Sequence, residues 1–350
     1  MKASKKRPFT SIVSHLGNRK AKAIIKVLLS GLLLLWLFRS VHFSKILFAV
    51  SDANVALLAL AVVCQAASNL IAGLRWCLTM KILDIDEPPI FFVKSFFRGA
   101  FFNQVLPGSI GGDGIRMLDL KAHSCSVSDS VEGVIIDRGI GLLCLLAVCF
   151  FASFPASHVL PAAVLKGVRY ICVFGLCGFG AFAIFSKVPV FNKIRCLSFL
   201  VRVSEKTWRV FSAGSKTGVV IALSTVVHIF AVFSIYLISL STGQAMGFLM
   251  FLAVFPLAIL LTVVPISFAG WGVREGALVA LFMSAGVGKD PVLLISILYG
   301  FAVIIASLPG LFFWLQKRKA IGDFRAVTAP VDHPQMSGSR MPGVRKLKYE

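Results

Sequence analysis

The stretch Thr217–Val273, TGVVIALSTVVHIFAVFSIYLISLSTGQAMGFLMFLAVFPLAILLTVVPISFAGWGV, contains no Lys, Arg, Asp or Glu. A helix of about 20 apolar residues crosses the ~30 Å hydrocarbon core of a bilayer, so this stretch can hold two such helices. The uncharged runs Ala53–Leu74 and Leu293–Gln316 are also long enough to cross. Because the runs are continuous rather than alternating, they favour helices over barrel strands. The sequence therefore predicts an all-α polytopic membrane protein.

The composition agrees with this fold class. Of 350 residues, 57% are hydrophobic and 15% are charged, whereas a soluble domain carries about a quarter charged residues. The net charge of +21, from 36 Lys and Arg against 15 Asp and Glu, raises the question of nucleic acid as a partner. The basic residues lie in the tails and one loop, without interleaved aromatic residues, so we predict no nucleic-acid binding. The positive-inside rule and attraction to anionic lipid explain the excess.

The distribution of basic residues predicts the domain organisation. Residues 1–22 carry seven Lys and Arg and no acid, which indicates a cytoplasmic tail. Residues 23–316 form a single predicted transmembrane domain, and 317–350 form a basic tail, rich in Pro, Gly and Ser, that we expect to be disordered and cytoplasmic. The predicted location is a bacterial inner (plasma) membrane, with multiple passes and both termini in the cytoplasm.

The first half of the transmembrane domain contains three predicted crossings. Helices are expected at about 23–38, 53–74 and from Asp137 to near Pro155. In the second helix, Gln65 and Asn69 share one face, which favours an interhelical hydrogen bond over a substrate contact. Arg75 and Lys81 are taken to mark a return to the cytoplasm. Residues 90–106 are apolar but interrupted by Lys94 and Arg98, which favours a re-entrant or interfacial segment over a span, and the polar stretch 117–130 predicts a loop.

The second half contains the remaining crossings. Helices are predicted at about 167–186, 217–240, 248–264 and 291–315, with a shorter apolar stretch at 277–288. The loop 187–216 carries seven Lys and Arg and one acid, which indicates the cytoplasm. The total is six to eight transmembrane helices, depending on whether the shorter segments cross fully.

Two loops in this apolar chain share one pattern. Asn103–Arg116 reads NQVLPGSIGGDGIR, and Pro265–Arg274 reads PISFAGWGVR. Aligned on the proline, both fit P-x-S-h-[GA]-G-x-G-h-R, where h is Ile, Phe or Val. We call them motif one (residues 107–116) and motif two (residues 265–274). Their recurrence predicts an internal repeat with halves of about 23–155 and 160–316.

The count of crossings predicts how the two halves are related. If the segments flanking both motifs are re-entrant, each half contains three full crossings, and an odd number makes the repeat inverted. The two motif loops would then enter from opposite faces and meet near the midplane, as in transporters with broken helices and a site at the repeat interface. The alternative count makes both 248–264 and 277–288 full crossings.

The motif residues suit a phosphorylated headgroup. Pro107 and Pro265 break a helix, and the glycines allow positive φ and close approach. Serine caps a helix whose free N–H groups attract an anion, and arginine grips phosphate with two parallel hydrogen bonds. The candidate substrate-binding residues are Asn103, Ser109, Gly111, Gly112, Asp113, Arg116, Asp137, Arg138, Ser267, Gly270, Gly272, Arg274 and Glu275.

A purely structural role is the alternative for each of these residues. Arg116 would pair with Asp113 or Asp119, and Arg274 would lie beside Glu275 on the surface. Asp137 and Arg138 would form an interfacial ion pair, and Asn103 would only cap the kinked backbone. The duplication favours function for the motif arginines, because ionisable residues inside a membrane mark functional sites.

The sequence carries no catalytic, metal or cofactor signature. The eight cysteines form no CxxC pair and are interpreted as small core residues. The histidines show no HxxxH or HExxH spacing, so we predict no metal site. Without a GxSxG elbow, a His–carboxylate cluster or a nucleotide-binding loop, we assign no catalytic residue and no cofactor.

Three separated blocks resemble the lysylphosphatidylglycerol synthase transmembrane-region family, also grouped as uncharacterised family 0104. The blocks are Asn103-x-x-Leu106-Pro107 with Gly111-Gly112-Asp113 and Arg116, then Asp137-Arg138-x-x-Gly141-Leu142, then Pro265-x-Ser267 with Gly270-x-Gly272 and Arg274-Glu275. The resemblance covers about residues 20–315 and implies a role in moving or presenting a lipid. Full-length synthases carry a soluble aminoacyl-transferase domain after the membrane part, and only a short basic tail follows here. Aminoacyl transfer is therefore not expected from this chain.

The sequence leaves two kinds of function. The first is a flippase that moves an anionic phospholipid or a lipid-linked phosphate headgroup, with Arg116 and Arg274 binding the phosphate and Asp113 and Glu275 balancing charge or carrying a coupling proton. The second is a scaffold, or the membrane half of a lipid-modifying synthase, that uses the basic 187–216 loop to hold a separate synthase. An enzyme acting on lipid headgroups is the less favoured third possibility, with Asp113 and Asp137 as its one conceivable carboxylate pair.

Overall fold

The computed structural model describes residues 52–106, 111–123, 125–158, 160–192, 194–244, 246–263 and 270–317. The predicted first helix, the tail 1–22 and nearly all of the tail 317–350 lie outside the described residues. Residues 1–313 form one compact unit, and residues 314–350 form a second, in which 314–317 are described and helical.

The described residues form helices and no strands. In chain order the helices are α1 Val55–Ile82, α2 Pro89–Val105, α3 Gly111–Lys121, α4 Val127–Ala152, α5 Ala162–Ala183, α6 Pro189–Asn192, α7 Ser198–Phe211, α8 Ser215–Ser241, α9 Phe248–Thr262, α10 Val273–Ser284 and α11 Lys289–Ser307. Helical geometry resumes after α11 at residues 309–317. Three short 3-10 helices lie at Pro155–His158, Phe185–Lys187 and Arg195–Leu197.

Five of these helical stretches are long and apolar enough to cross a membrane. They are Val55–Ile82, Val127–Ala152, Ala162–Lys187, Ser215–Ser241 and Lys289–Lys317. Helix α9 is equally apolar but has only 15 residues. The polytopic helical fold is confirmed, and the predicted first crossing at about 23–38 would bring the long spans to six.

Two predicted boundaries were wrong for the same physical reason. Helix α1 continues to Ile82 instead of ending at Arg75, and α4 begins at Val127, ten residues before Asp137. Both charged residues lie inside helices, where each finds a buried partner of opposite charge. An ion pair between helices allows a charge to stay in an apolar helix without ending it.

Two predicted loops are largely helical. The stretch 117–130 contains the end of α3 and the start of α4, whose N-cap Ser126 accepts a hydrogen bond from the Asp129 N–H at 3.0 Å. The stretch 187–216 contains α6 and the amphipathic α7. A helix with one apolar face can lie along the protein or the membrane surface despite its many charges, which is why composition alone suggested a loop.

The internal repeat is present in the order and spacing of the helices. Pro107 and Pro265 are 158 residues apart. The same offset carries α1 onto α8, α2 onto α9, α3 onto α10 and α4 onto α11, each within a few residues at its start. Each half therefore repeats one unit: a long helix, a short hairpin that contains the motif, and a second long helix.

The two halves are inverted with respect to each other. The equivalent helices α1 and α8 pack side by side, and hydrogen bonds show their direction. The Asn54 N–H donates to the Ser241 carbonyl at 2.8 Å, and Ser68 Oγ donates to the Val227 carbonyl at 3.0 Å. The start of α1 thus lies beside the end of α8, so the equivalent helices are antiparallel. Because α2 follows the end of α1 and α9 follows the end of α8, the two motif hairpins begin at opposite faces.

The described residues of each motif lie at the start of the second helix of a helical hairpin. In hairpin one (α2 and α3), Arg98 pairs with Asp119 at 2.6 Å, and near the tip the Gly112 N–H donates to Asn103 Oδ1 at 2.9 Å. At the open end, His123 lies 3.3 Å from Glu87. Hairpin one therefore enters and leaves on the same side, as the polar residues of 90–106 predicted.

Hairpin two (α9 and α10) also consists of two helices packed side by side, but the contacts between them are apolar. The rings of Phe251, near the start of α9, and Phe282, near the end of α10, are 5.1 Å apart. Both rings belong to the largest buried apolar cluster, to which α1, α8, α9, α10 and α11 contribute. Hairpin two is thus packed in the core of the bundle.

Candidate functional site

Five charged side chains from three helices come together around the start of α3. Arg75 comes from α1, Asp113 and Arg116 from α3, and Asp137 and Arg138 from α4. We call this set the charge cluster. Four of the five are buried, with exposed fractions of 0–8%, and the Arg138 side chain is about half exposed. The sequence predicted all of them except Arg75.

Asp137 is the centre of the charge cluster and is fully buried. Its Oδ1 accepts hydrogen bonds from Arg75 Nε at 3.1 Å, and its Oδ2 accepts one from Arg116 Nη2 at 2.6 Å. The carboxylate therefore joins α1, α3 and α4. The alternative of an interfacial ion pair formed by Asp137 and Arg138 does not fit the buried Asp137. Consecutive residues on a helix point in different directions, and each of the two pairs with a residue on another helix.

Asp113 holds the outer side of the charge cluster. Arg138 Nε donates to both of its carboxylate oxygens, at 3.0 and 2.9 Å, and Arg116 Nη1 lies 3.4 Å from Oδ1. The predicted pair of Arg116 with Asp113 is thus present but long, and Asp119 pairs with Arg98 instead. With three arginines and two aspartates, the ionised charge cluster carries one surplus positive charge.

Arg116 retains binding capacity in spite of its burial. Its guanidinium carbon lies 4.1 Å from the Trp76 ring centre and 5.0 Å from the Phe96 ring centre, so two aromatic faces hold the group in place. Among the described residues, its Nε–H has no hydrogen-bond partner. A buried donor without a partner costs free energy unless a ligand or water satisfies it.

A polar cavity of about 190 Å³ opens beside these groups. Helices α1, α2, α3, α4 and α11 all contribute to its wall. Its polar lining residues are Asn69, Asn103, Gln104, Asp113, Arg116, Arg138 and Ser307. The arrangement places guanidinium, amide and hydroxyl groups around one small space, which suits an oxyanion of phosphate size.

Close packing of two glycines brings hairpin one together. A Cβ on Gly112 would overlap the Gly99 carbonyl oxygen, so only glycine allows α3 to approach α2 this closely. Asn103 accepts the Gly112 N–H and thereby caps the start of α3. The capping role considered for Asn103 is confirmed, and the residue also lines the cavity.

Motif two surrounds its arginine with different partners. Arg274 Nε donates to Glu275 Oε1 at 3.0 Å, and the Gly272 N–H donates to Glu275 Oε2 at 2.6 Å. Arg274 lies 5.0 Å from the Trp271 ring centre and is 6% exposed. The expected pair of Arg274 with Glu275 is confirmed, but its expected surface position was wrong.

The glycines of motif two act through backbone conformation. Gly270 and Gly272 have φ values of +82° and +84°, in the left-handed region that glycine adopts without strain. The same aligned glycines in motif one, Gly112 and Gly114, lie within helix α3. The sequence predicted both uses of glycine, and each copy adopts one of them.

Two hydrogen bonds join the middle of α1 to α11, one near each motif arginine. Tyr299 on α11, whose ring lies 5.5 Å from the Arg274 guanidinium, donates to Gln65 Oε1 at 3.2 Å. One turn along α1, Asn69 donates to the Ala306 carbonyl at 3.4 Å and lines the motif-one cavity. The predicted interhelical hydrogen bonds of Gln65 and Asn69 are confirmed, and they mark the neighbourhoods of motif two and motif one.

Some predicted site residues lie outside the described residues, and the sequence missed Arg75 of the charge cluster and Asn69, Gln104 and Ser307 of the cavity wall. Pro107 and Ser109 of motif one, and Pro265 and Ser267 of motif two, lie outside the described residues. Arg75 was interpreted as a boundary marker. The signal that could have identified it is that the sequence stays largely apolar after Arg75, to the end of a 28-residue helix.

The basic segment 187–216 is fixed to the bundle by ion pairs. Lys206 on α7 contacts Asp129 at 2.6 Å and Glu132 at 2.5 Å, and Arg209 contacts Asp84 at 2.6 Å. Burial lowers the pKa of Lys206, but the hydrogen bonds to Asp129 and Glu132 outweigh it, so the pKa is raised overall. Helix α7 is thereby held against the ends of α1 and α4.

Comparison with known proteins agrees with this architecture. The sequence profile of the family described as "Lysylphosphatidylglycerol synthase TM region" matches residues 23–310. The chain is also similar to a "UPF0104 membrane protein" of Methanothermobacter thermautotrophicus, with 22% identity over 338 residues, covering 85% of this chain and 93% of the relative. Since the profile match spans most of the chain and includes both motifs, the protein belongs to the lysylphosphatidylglycerol synthase transmembrane-region family.

Proposed function

We propose that the chain is a lipid translocator that moves an anionic phospholipid or a lipid-linked phosphate headgroup across the membrane. The observation that carries the proposal is the polar cavity beside a surplus positive charge, whose wall combines α1 to α4 of the first repeat half with α11 of the second. A charged group at this depth is unfavourable in lipid alone, so a protein that moves one must supply opposite charge there. Membership of a family named for a lipid synthase supports a lipid as the substrate.

In this proposal the phosphate binds where the Asp113 carboxylate lies in the ligand-free protein. The carboxylate accepts hydrogen bonds from Arg138 and lies beside Arg116, and both arginines line the cavity. An arriving phosphodiester offers the same pair of oxygens and can also accept from the unpartnered Arg116 Nε–H. Asp137 remains in place and keeps Arg75 and Arg116 oriented. We also propose that both termini and α7 lie on the cytoplasmic side.

Headgroup transfer in proteoliposomes tests this function. Fluorescent phosphatidylglycerol in both leaflets is exposed to a membrane-impermeant quencher, and protein-dependent transfer appears as quenching beyond one leaflet. Arg116→Ala removes a charge-assisted hydrogen bond worth about 1.5–3 kcal/mol, which corresponds to a loss of about 10- to 100-fold in transfer rate. Arg274→Ala should also reduce transfer, and Lys81→Ala, at a half-exposed pair with Asp86, serves as the control. Transfer at the wild-type rate in both motif variants would overturn the proposal.

A scaffold for a separately encoded synthase is the second candidate function. Helix α7 favours it, because its ion pairs to α4 and α1 fix a basic segment firmly enough to present a docking surface. If exchanging the exposed residues of α7 abolished the cellular activity while Arg116→Ala and Arg274→Ala left it intact, the scaffold would be supported over the translocator.

A further inference from the structure

A second space in the molecule is apolar and lies farther along α4 than the polar cavity. It is a groove of about 650 Å³ between α4, α5 and α9. Leu142 and Leu146 form its floor on α4, and Tyr170 and Phe174 on α5 are 74% and 83% exposed. We call it the α5 groove. The α5 groove is separate from the polar cavity, because the two spaces share no lining residue.

The α5 groove continues from the charge cluster along one face of α4. Arg138, Leu142 and Leu146 are spaced four residues apart, so they follow one another on the same helix face at intervals of about 6 Å. Arg138 lines the polar cavity, and the two leucines line the α5 groove. A single helix face therefore passes from a guanidinium to an apolar floor.

The other wall of the α5 groove belongs to the second half of the repeat. Leu260 and Val263 line it from the end of α9. The α5 groove thus lies between α4 of the first half and α9 of the second. A phospholipid has a matching arrangement, because its acyl chains begin only a few bonds from its phosphate.

We propose that the α5 groove binds one acyl chain of a phospholipid whose phosphate lies at Arg138 and Arg116, and that lipid enters sideways between α5 and α9. This inference rests on the proposed function for the identity of the headgroup. Two features together assign an acyl chain as the occupant. The α5 groove continues from a positively charged cavity, and its wall is apolar with large exposed side chains. An apolar protein helix could pack against this wall but would place no anion beside Arg138.

Photolabelling can test the α5 groove without measuring transport. The full chain is reconstituted in phosphatidylcholine vesicles that contain a trace of either phosphatidylglycerol or phosphatidylcholine with a diazirine in the acyl chain. Peptide mass spectrometry then compares labelling of 170–175 with labelling around Val63, an apolar α1 residue that is 60% exposed. We expect a preference for the anionic probe at 170–175 and none around Val63.

Variants identify the source of that preference. Arg138→Gln should reduce the ratio of anionic to zwitterionic labelling at 170–175 to the ratio around Val63. Lys166→Gln, which removes an exposed charge on α5 itself, should leave the preference unchanged. Gly175→Leu should lower labelling by both probes, because a side chain at Gly175 projects towards Leu146 Cδ1, 2.8 Å from its Cβ.

The outcomes separate this proposal from the translocator proposal. Equal labelling by both probes at 170–175 in the wild type, or a preference lost in Lys166→Gln and kept in Arg138→Gln, would overturn the α5 groove as the acyl-chain site. The expected labelling pattern together with no headgroup transfer would support the α5 groove and count against translocation. Transfer without the labelling preference would support translocation by another lipid path.

Discussion

Motif one and motif two end in the same arginine, yet the two arginines have different partners. Arg116 contacts carboxylates on α3 and α4 and lies beside open polar space. Arg274 pairs with its own neighbour Glu275 and packs between the rings of Trp271 and Tyr299. The same sequence pattern therefore holds its arginine by ion pairs to two helices in one half and by a pair with the adjacent residue in the other.

The difference comes from the residues at equivalent positions of the repeat. With the 158-residue offset, Asp113 corresponds to Trp271, and Asp137 and Arg138 correspond to Ile295 and Ser296. Aromatic and apolar side chains replace the charges of motif one, so Arg274 has fewer ionic partners.

The largest expected effect is from Asp137→Asn. The substitution leaves Arg75 and Arg116 buried without their shared carboxylate, and breaking a buried ion pair from one side costs about 3–5 kcal/mol in free energy of unfolding. Thermal unfolding in detergent measures the change. Asp86→Asn is the control, because the Asp86 side chain is 84% exposed. Equal stability of the two variants would mean that Asp137 does not hold the charge cluster together.

Glu275→Gln is the matching change in motif two, and its effect should be smaller. Glutamine still accepts the Gly272 N–H, and Arg274 keeps the Ser296 carbonyl at 3.4 Å and the Trp271 ring. We expect a loss of about 2–3 kcal/mol, the cost of one imperfectly satisfied charged group. The same unfolding assay compares both variants. A larger loss than for Asp137→Asn would reverse the proposed order of the two sites.

Alanine substitutions at the aligned glycines should separate close approach from backbone conformation. Gly112→Ala forces α3 away from the Gly99 carbonyl and should cost about 1–3 kcal/mol in free energy of unfolding. Gly270→Ala must adopt a positive φ and should cost about 1–2 kcal/mol.

Gly114→Ala is the matched control for Gly112→Ala. It lies in the same helix, and its Cβ would have nothing within 4 Å. It should leave stability unchanged or raise it by up to about 1 kcal/mol, because alanine has the higher helix propensity. Destabilisation of similar size at Gly114 and Gly112 would show that glycine is needed in motif one for a reason other than contact with α2.

The smallest expected effect is from Asn103→Ala. It removes the acceptor for the Gly112 N–H at the start of α3, and losing such a cap costs about 1 kcal/mol. Asn103→Asp keeps an acceptor and should retain most of the stability. Both variants also alter the cavity wall, so headgroup transfer should be measured beside unfolding. If Asn103→Ala is fully stable and reduces transfer, Asn103 acts mainly on the ligand.

The sequence by itself determined the fold class and the repeat. Long uncharged runs require helices in a membrane, because lipid cannot satisfy exposed backbone groups. The duplicated Pro-x-Ser-Gly-Arg pattern located two re-entrant hairpins, and the parity of crossings predicted their inversion. Each of these conclusions depends on local composition or on order along the chain, which the sequence shows directly.

Only the tertiary structure decided which charges meet. Arg75 and Asp137 are 62 residues apart, and no local pattern connects them, so Arg75 resembled the end of a helix. The different surroundings of Arg116 and Arg274 likewise depend on α4 and α11, which the motif sequences do not contain. Burial of an ion pair is a property of three-dimensional packing, and it gave the arginines of two similar motifs different partners.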